Sequence, residues 1–136
     1  MTHLLDTNIC IYLIKRKPPE VLERFHSHQP GQIGISSVTA AELSYGVSKS
    51  QFRKRNRAAL EQFLLPFIIV AFDYDASLVY GEVRATLERA GAPIGPLDTM
   101  IGAHALHLNA TLVTNNLKEF SRIAGLRVEN WVEGLP

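Results

Sequence analysis

Cysteine occurs once in the 136 residues, at Cys10. A lone cysteine excludes an intrachain disulfide and a cysteine-based zinc site, and it suits a reducing compartment. Long apolar runs are also missing: the longest, such as Phe67–Phe72, are far short of the ~20 residues a membrane-spanning helix needs. The opening Met1-Thr2-His3-Leu4-Leu5-Asp6 has neither a basic nor an apolar leader region. These absences predict a cytoplasmic chain with no membrane partner. Charge of either sign is scarce in excess, with 14 Lys and Arg against 13 Asp and Glu and a net charge of +1. Proteins that grip duplex backbone over a broad face are more basic than this, so nucleic-acid contact has to come from a local cluster. No repeat, low-complexity tract or linker divides the chain.

What is present suits an ordinary globular domain. Hydrophobic residues make up 46% and charged residues 20%, which excludes disorder, a coiled coil and a collagen-like fibre. Short apolar runs alternate with helical patterns, the signature of a parallel sheet wrapped by helices. Strands are expected at His3–Leu5, Ile33–Ser36, Thr111–Thr114 and Leu126–Val128, and at Phe67–Phe72 as a strand buried on both faces. One helix carries Ile9, Tyr12 and Leu13 and ends in Lys15-Arg16-Lys17. Pro18-Pro19 opens a second, with Val21, Leu22 and Phe25 on one face. Further helices are expected at Ser37–Ser50, Arg53–Leu65, Asp75–Ala90, Leu97–Leu108 and Leu117–Ile123, with Pro96 suited to a first helical position. Pro30-Gly31 reads as a turn and Gly91–Gly95 as a loop. The expected fold is α/β: a single domain over residues 1–136, a parallel sheet of four or five strands flanked by helices.

Of only four aspartates, two stand at special places. Asp6 closes the first strand and Asp98 falls in the first turn of a helix. Glu42 lies early in the helix after the second strand, and the strand Thr111–Thr114 runs into Asn115-Asn116. In open parallel sheets the ligand crevice lies beyond the carboxyl ends of the strands, so these residues can share one rim. Each acid also has a structural reading. Asp6 suits a helix N-cap; Thr39-Ala40-Ala41-Glu42 and Asn116-Leu117-Lys118-Glu119 match capping boxes; Asp98 is favourable at a helix N-terminus through the macrodipole. If the acids converge, an oxygen-only donor set suits a hard cation, Mg²⁺ or Mn²⁺. Such an ion activates water for in-line attack, and phosphodiester hydrolysis is the matching reaction class.

Other features divide between function and packing. Lys49, Arg53, Lys54, Arg55 and Arg57 form a basic stretch with no acid between Ser48 and Ala59. With Lys15, Arg16 and Lys17 it is the best candidate for contacting nucleic-acid phosphates, the alternative being a solvated helix face. His104 and His107 sit three apart among apolar neighbours and lack the Glu of a His-Glu-x-x-His pattern, which favours packing over metal binding. Cys10 reads as core.

The ordered set Leu5-Asp6-Thr7-Asn8, Ile35-Ser36-Ser37-Val38-Thr39-Ala40-Ala41-Glu42-Leu43, Pro96-Leu97-Asp98-Thr99-Met100-Ile101-Gly102-Ala103-His104-Ala105 and Leu112-Val113-Thr114-Asn115-Asn116 resembles the PIN-domain ribonucleases. It is most similar to the VapC-type toxins of bacterial toxin–antitoxin pairs, across essentially the whole chain. The resemblance implies a metal-dependent pocket that cleaves RNA, often structured RNA such as tRNA. It maps the metal-holding acids onto Asp6, Glu42 and Asp98, with Thr7 or Asn8 as auxiliaries. Where the family often has a fourth acid this chain has Asn115-Asn116, which adds no charge; Glu119, one turn on, is a possible substitute. The implied partners are RNA, a small VapB-type antitoxin that covers the pocket, and a second copy in a homodimer. Other readings stay open: housekeeping RNA processing, a dehalogenase-type phosphatase with Asp6 as nucleophile, and a binding module without chemistry.

Overall fold

Successive side chains of a strand point to opposite faces, so a strand inside a sheet covered on both sides feeds two cores. β1 (His3–Leu5) sends Leu4 into one apolar core and Leu5 into another, on the two sides of a sheet. Beside it β4 (Thr111–Val113) divides Leu112 and Val113 in the same way. β2 (Ile33–Ser36) flanks β1 on its other side, while β3 (Ile68–Val70) and β5 (Val128–Glu129) form the edges. The strand order is β3-β2-β1-β4-β5, and each pairing is parallel. This computed structural model describes residues 1–29 and 31–132; Pro30 of the expected turn lies outside them.

Parallel neighbours need crossover connections, here made by helices. α1 (Thr7–Lys15) and α2 (Pro19–His26) join β1 to β2, and α3 (Ser37–Ser48) and α4 (Arg53–Leu64) join β2 to β3. α5 (Tyr74–Arg89) and α6 (Pro96–His107) return the chain to β4, and α7 (Leu117–Phe120) precedes β5. Ile9, Leu13, Val21 and Leu60 put α1, α2 and α4 over one face of the sheet, with the fully buried Trp131. Leu87, Ile101, Ala105 and Phe120 put α5, α6 and α7 over the other. α3 serves both cores, giving Val38 to one and Leu43 to the other. Cys10 lies in the core as expected, and burial holds its thiol well above the usual range.

The chain winds outward through β2 to β3, then crosses back to lay β4 against β1. The winding sense therefore reverses between β1 and β4, and this reversal opens the crevice where open α/β sheets bind ligands. Asp6 and Thr114 immediately follow these two strands.

Three local expectations are corrected: the last strand is Val128–Glu129 rather than Leu126–Val128. Phe67–Phe72 is not a strand buried on both faces: only Ile68–Val70 pairs, and Ile68 and Ile69 are 44% and 48% exposed. An edge strand has one neighbour, and here the burial falls on Phe67, just outside it, packed against Phe25 and Phe63. The last helix ends at Phe120 rather than Ile123.

Gly102 sets how closely α6, the helix that carries Asp98, approaches α7. A Cβ at Gly102 would lie 2.5 Å from Ile123 Cδ1 and 3.3 Å from the Phe120 ring. Gly102→Val is therefore expected to destabilise the fold by about 1–3 kcal/mol through overpacking. The change would be read as a lower urea midpoint at unchanged slope.

Candidate active site

Asp6 owes its position to a junction between strand and helix. Its backbone N–H donates to Val113 O at 3.0 Å, extending the β1–β4 ladder by one step. The chain then turns into α1, and Asp6 Oδ1 accepts from Ile9 N at 2.9 Å as the N-cap. The capping and site readings of Asp6 are thus compatible, because a carboxylate has about four acceptor positions and the cap uses one. Asp6 is 4% exposed. Burial pushes its carboxyl up to about 6; hydrogen bonds from Thr114 and the Ile9 N–H oppose that rise, and the charges of Asp98 and Glu42 add to it.

Glu42 comes from α3, whose N-cap is Ser36, accepting from Val38 N at 3.1 Å. Thr39 lies inside the helix, so the expected capping box with Glu42 does not form. The Glu42 carboxylate instead accepts from Thr7 Oγ1 at 2.7 Å, and Thr7 also reaches Thr39 Oγ1 at 3.4 Å. Thr7 thereby ties the start of α1 to α3.

Asp98 lies in the first turn of α6, where Gly95 occupies the cap position and Pro96 the first turn. It is half-buried, and its carboxyl is raised by burial first and then by the charges of Glu42 and Glu119. Asp6 therefore feels Asp98 and Glu42, while Asp98 feels Glu42 and Glu119. Carboxylates from the start of α1, from α3, from the first turn of α6 and from α7 thus lie near enough to repel one another.

Such a set suits a hard divalent cation by the chemistry of its donors: oxygen only, negative, and mutually destabilised until a positive charge arrives. The ion pairs found among the described residues are Arg24 and His3 with Glu129 and Arg84 with Glu88, so none of them neutralises these acids. The acids share a rim without closing on a point. Among the described residues no group of three His, Cys, Asp or Glu side chains is gathered tightly enough to grip an ion. Glu42 in particular is engaged with Thr7.

The remaining predicted residues separate. Asn115 is half-buried and donates through Nδ2 to the Tyr12 hydroxyl at 2.9 Å. Asn116 occupies the cap position of α7 without a side-chain capping bond, so its expected capping box is also absent; its backbone N–H donates to Thr114 Oγ1 at 2.9 Å. Glu119 belongs to the rim through its charge on Asp98. Asn8 is exposed on the first turn of α1. His104 is buried, with Nδ1 2.8 Å from Ser36 Oγ and its ring edge-on to Phe72, whereas His107 is exposed. Two side chains not singled out in the sequence lie against site residues: the buried Thr114 works against the rise of the Asp6 carboxyl, and the Tyr12 hydroxyl accepts from Asn115 Nδ2 at 2.9 Å.

The basic residues lie away from these bonds. Lys15, Arg16 and Lys17 are exposed at the end of α1, with Arg16 in the left-handed conformation at φ 57°. Lys15 and Glu42 also line an apolar hollow of about 310 Å³ between α1, α3 and α4, with Ile11, Ile14, Leu43, Val47 and Leu60. Arg53, Lys54 and Arg57 line a shallow hollow on the outer side of α3 and α4. Arg57 is partly spent on structure, donating to Ser44 Oγ at 3.0 Å and Ser48 Oγ at 3.2 Å. No helix among the described residues is long and apolar enough to cross a membrane.

Comparison with known proteins agrees with this geometry. The PIN domain family profile matches residues 3–126. The chain is 48% identical over 128 residues to the tRNA(fMet)-specific endonuclease VapC of Shigella flexneri, covering 94% of this chain and 96% of that one. It is 44% identical over 132 residues to ribonuclease VapC2 of Haemophilus influenzae, covering 97% and 99%. Among solved structures it superposes with a TM-score of 0.91 on DNA-bound VapBC from Salmonella typhimurium, at 44% identity and with 96% and 98% of the chains covered. The corresponding values for VapBC2 of Rickettsia felis bound to a promoter DNA fragment are 0.88, 43%, 96% and 99%. Strand order, the rim of acids and identity over nearly the full length thus point the same way, and the chain belongs to the PIN domain family, among the VapC ribonucleases.

Proposed function

We propose that this protein is a Mg²⁺- or Mn²⁺-dependent endoribonuclease that acts in the cytoplasm as the toxin of a toxin–antitoxin pair. The observation that carries the proposal is the buried Asp6 at the β1–α1 junction, beside the topological switch between β1 and β4, with Glu42 of α3 and Asp98 of α6 near enough for their charges to act on it. Those three carboxylates would hold the cation. A bound divalent ion supplies the positive charge that offsets the carboxylates and the scissile phosphate, and it activates water for in-line attack. The chain's own residues do the positioning. Thr7 orients Glu42, the Ile9 N–H orients Asp6, and Tyr12 holds Asn115. Lys15, Arg16, Lys17, Lys49, Arg53, Lys54, Arg55 and Arg57 are the cations available to RNA phosphates. A relative 48% identical is a tRNA(fMet)-specific endonuclease, which makes structured RNA such as tRNA the first substrate to test.

The solved relatives include VapBC complexes, and a VapB-type antitoxin is the partner this reading assigns. The apolar hollow beside Glu42 offers it a seat next to the acids, where an arginine can neutralise them.

Brief expression followed by mapping of new RNA 5′ ends tests the activity and its target together. Purified protein should then cut the identified RNA, stop on chelation, and recover with Mg²⁺ or Mn²⁺. Cleavage indifferent to chelator, or no new 5′ ends during growth arrest, would count against the proposal. Light scattering on the same preparation checks the expected homodimer.

A further inference from the structure

Two aromatic rings stand in solvent at the tip of the α3–α4 hairpin. Tyr45, one helical turn past Glu42, is 65% exposed, and Phe52, at the start of α4, is 52% exposed. Neither serves the core. Each carries a cation over one face: Lys49 Nζ lies 5.0 Å from the centre of the Tyr45 ring, and Arg55 Cζ lies 4.5 Å from that of Phe52. Cation–π contact of this kind favours one orientation of a ring, and much of each residue is still open to solvent. The hairpin is also braced from within, because Arg57 clamps α4 to Ser44 and Ser48 of α3. The rings are therefore held on a rigid support.

The surrounding charge says what these rings suit. From Ser48 to Ala59 there are five cations and no acid. An apolar protein surface docking here would have to desolvate that charge without compensation. Single-stranded RNA meets both needs, since its phosphates pair with the cations and its bases have apolar faces that stack on aromatic rings and guanidinium planes. In a duplex those faces are already stacked on neighbouring bases.

We propose that Tyr45 and Phe52 form a stacking platform that positions unpaired bases of the RNA. The proposal rests on the ribonuclease reading and extends it to the residues that seat the substrate. Charge complementarity selects RNA as the occupant, and the position of Tyr45 one turn from Glu42 puts the platform next to the rim of acids.

Binding without cleavage tests the platform. Full-length protein in chelator is titrated into a single-stranded RNA containing 2-aminopurine, and into a duplex of the same composition. The expected result is fluorescence quenching with the single strand and weaker binding of the duplex. Tyr45→Leu and Phe52→Leu should each lose quenching and about tenfold in affinity, with the salt slope unchanged. Arg53→Ala with Lys54→Ala should instead flatten the salt slope and keep the quench. Phe52→Tyr should retain wild-type quenching, and Tyr45→Gln provides a second, polar substitution should Tyr45→Leu fold poorly by circular dichroism. Unchanged affinity and quench in the leucine variants, duplex binding as tight as single-strand binding, or a loss confined to binding of a purified antitoxin would each overturn the platform. If RNA is still bound and cut in those cases, the ribonuclease reading stands. If the wild-type chain binds no RNA at all, that reading fails as well.

Discussion

Asp98→Asn is expected to lower single-turnover RNA cleavage by about 10³-fold or more, with the thermal midpoint held or slightly raised. The substitution keeps the shape of the side chain and removes only its charge. Little in the fold depends on that charge: Gly95 occupies the cap position of α6, and the Asp98 carboxyl is raised above its usual value by burial and by Glu42 and Glu119. A residue kept for structure would lose stability on substitution, whereas one kept for chemistry would lose rate and relieve repulsion. Cleavage of a labelled RNA at saturating Mg²⁺, set beside circular dichroism melting of the same preparation, separates the two. Undiminished cleavage by the folded variant would remove the carboxylates from the reaction.

The sequence discloses the inner sheet well, because its signals there are local. The apolar triplet before Asp6 and the run Ile33–Ser36 each end at a helix start, and both strands have the expected bounds. Pro96 and Gly95 similarly locate the start of α6. Sequence is less informative wherever the decisive neighbour is distant. The apolar run Phe67–Phe72 looks like an inner strand, yet edge or centre is decided by strand order, a property of the whole chain. The spacing Thr39–Glu42 fits a capping box equally well inside a helix, and only the position of Ser36 shows that the helix has already begun.

The site divides along the same line. That the acids share a rim follows from the rule placing crevices beyond strand ends, together with the resemblance to PIN-domain ribonucleases. The family comparison then leaves the dehalogenase-type phosphatase without support. The bonds that orient the acids are not legible in that way. Tyr12 and Asn115 are 103 positions apart, and Thr7 and Glu42 are 35 apart. The one available signal is Thr114, a hydroxyl at the end of the strand beside β1, in the place opposite Asp6. Charge alone groups Arg57 with its neighbours, although its bonds to α3 give it a second task.

Asp6→Asn is expected to stabilise the metal-free protein near neutral pH, and the size of that gain should depend on pH in a set direction. Asp6 is raised from 3.8 to about 6, so the folded state holds its proton more tightly than the unfolded chain does. The carboxyl's favourable contribution is fully present below the unfolded value and is lost as pH rises through about 6. Above that range ionised Asp6 opposes folding by about 3 kcal/mol, taking roughly 1.4 kcal/mol per pKa unit. Asparagine caps a helix as well as aspartate, so the bond to Ile9 N survives substitution while the buried charge disappears. Near pH 8 the variant should therefore unfold several degrees above wild type, and near pH 4 the two should coincide. Added Mg²⁺ should raise the wild-type midpoint and leave that of the variant nearly unchanged, since a ligand stabilises only the state that binds it. A variant less stable than wild type at every pH would instead make Asp6 a purely structural cap. The predicted pattern is that of a protein which tolerates a destabilised, buried carboxylate at the place where, in the proposed reaction, a cation and a phosphate would meet.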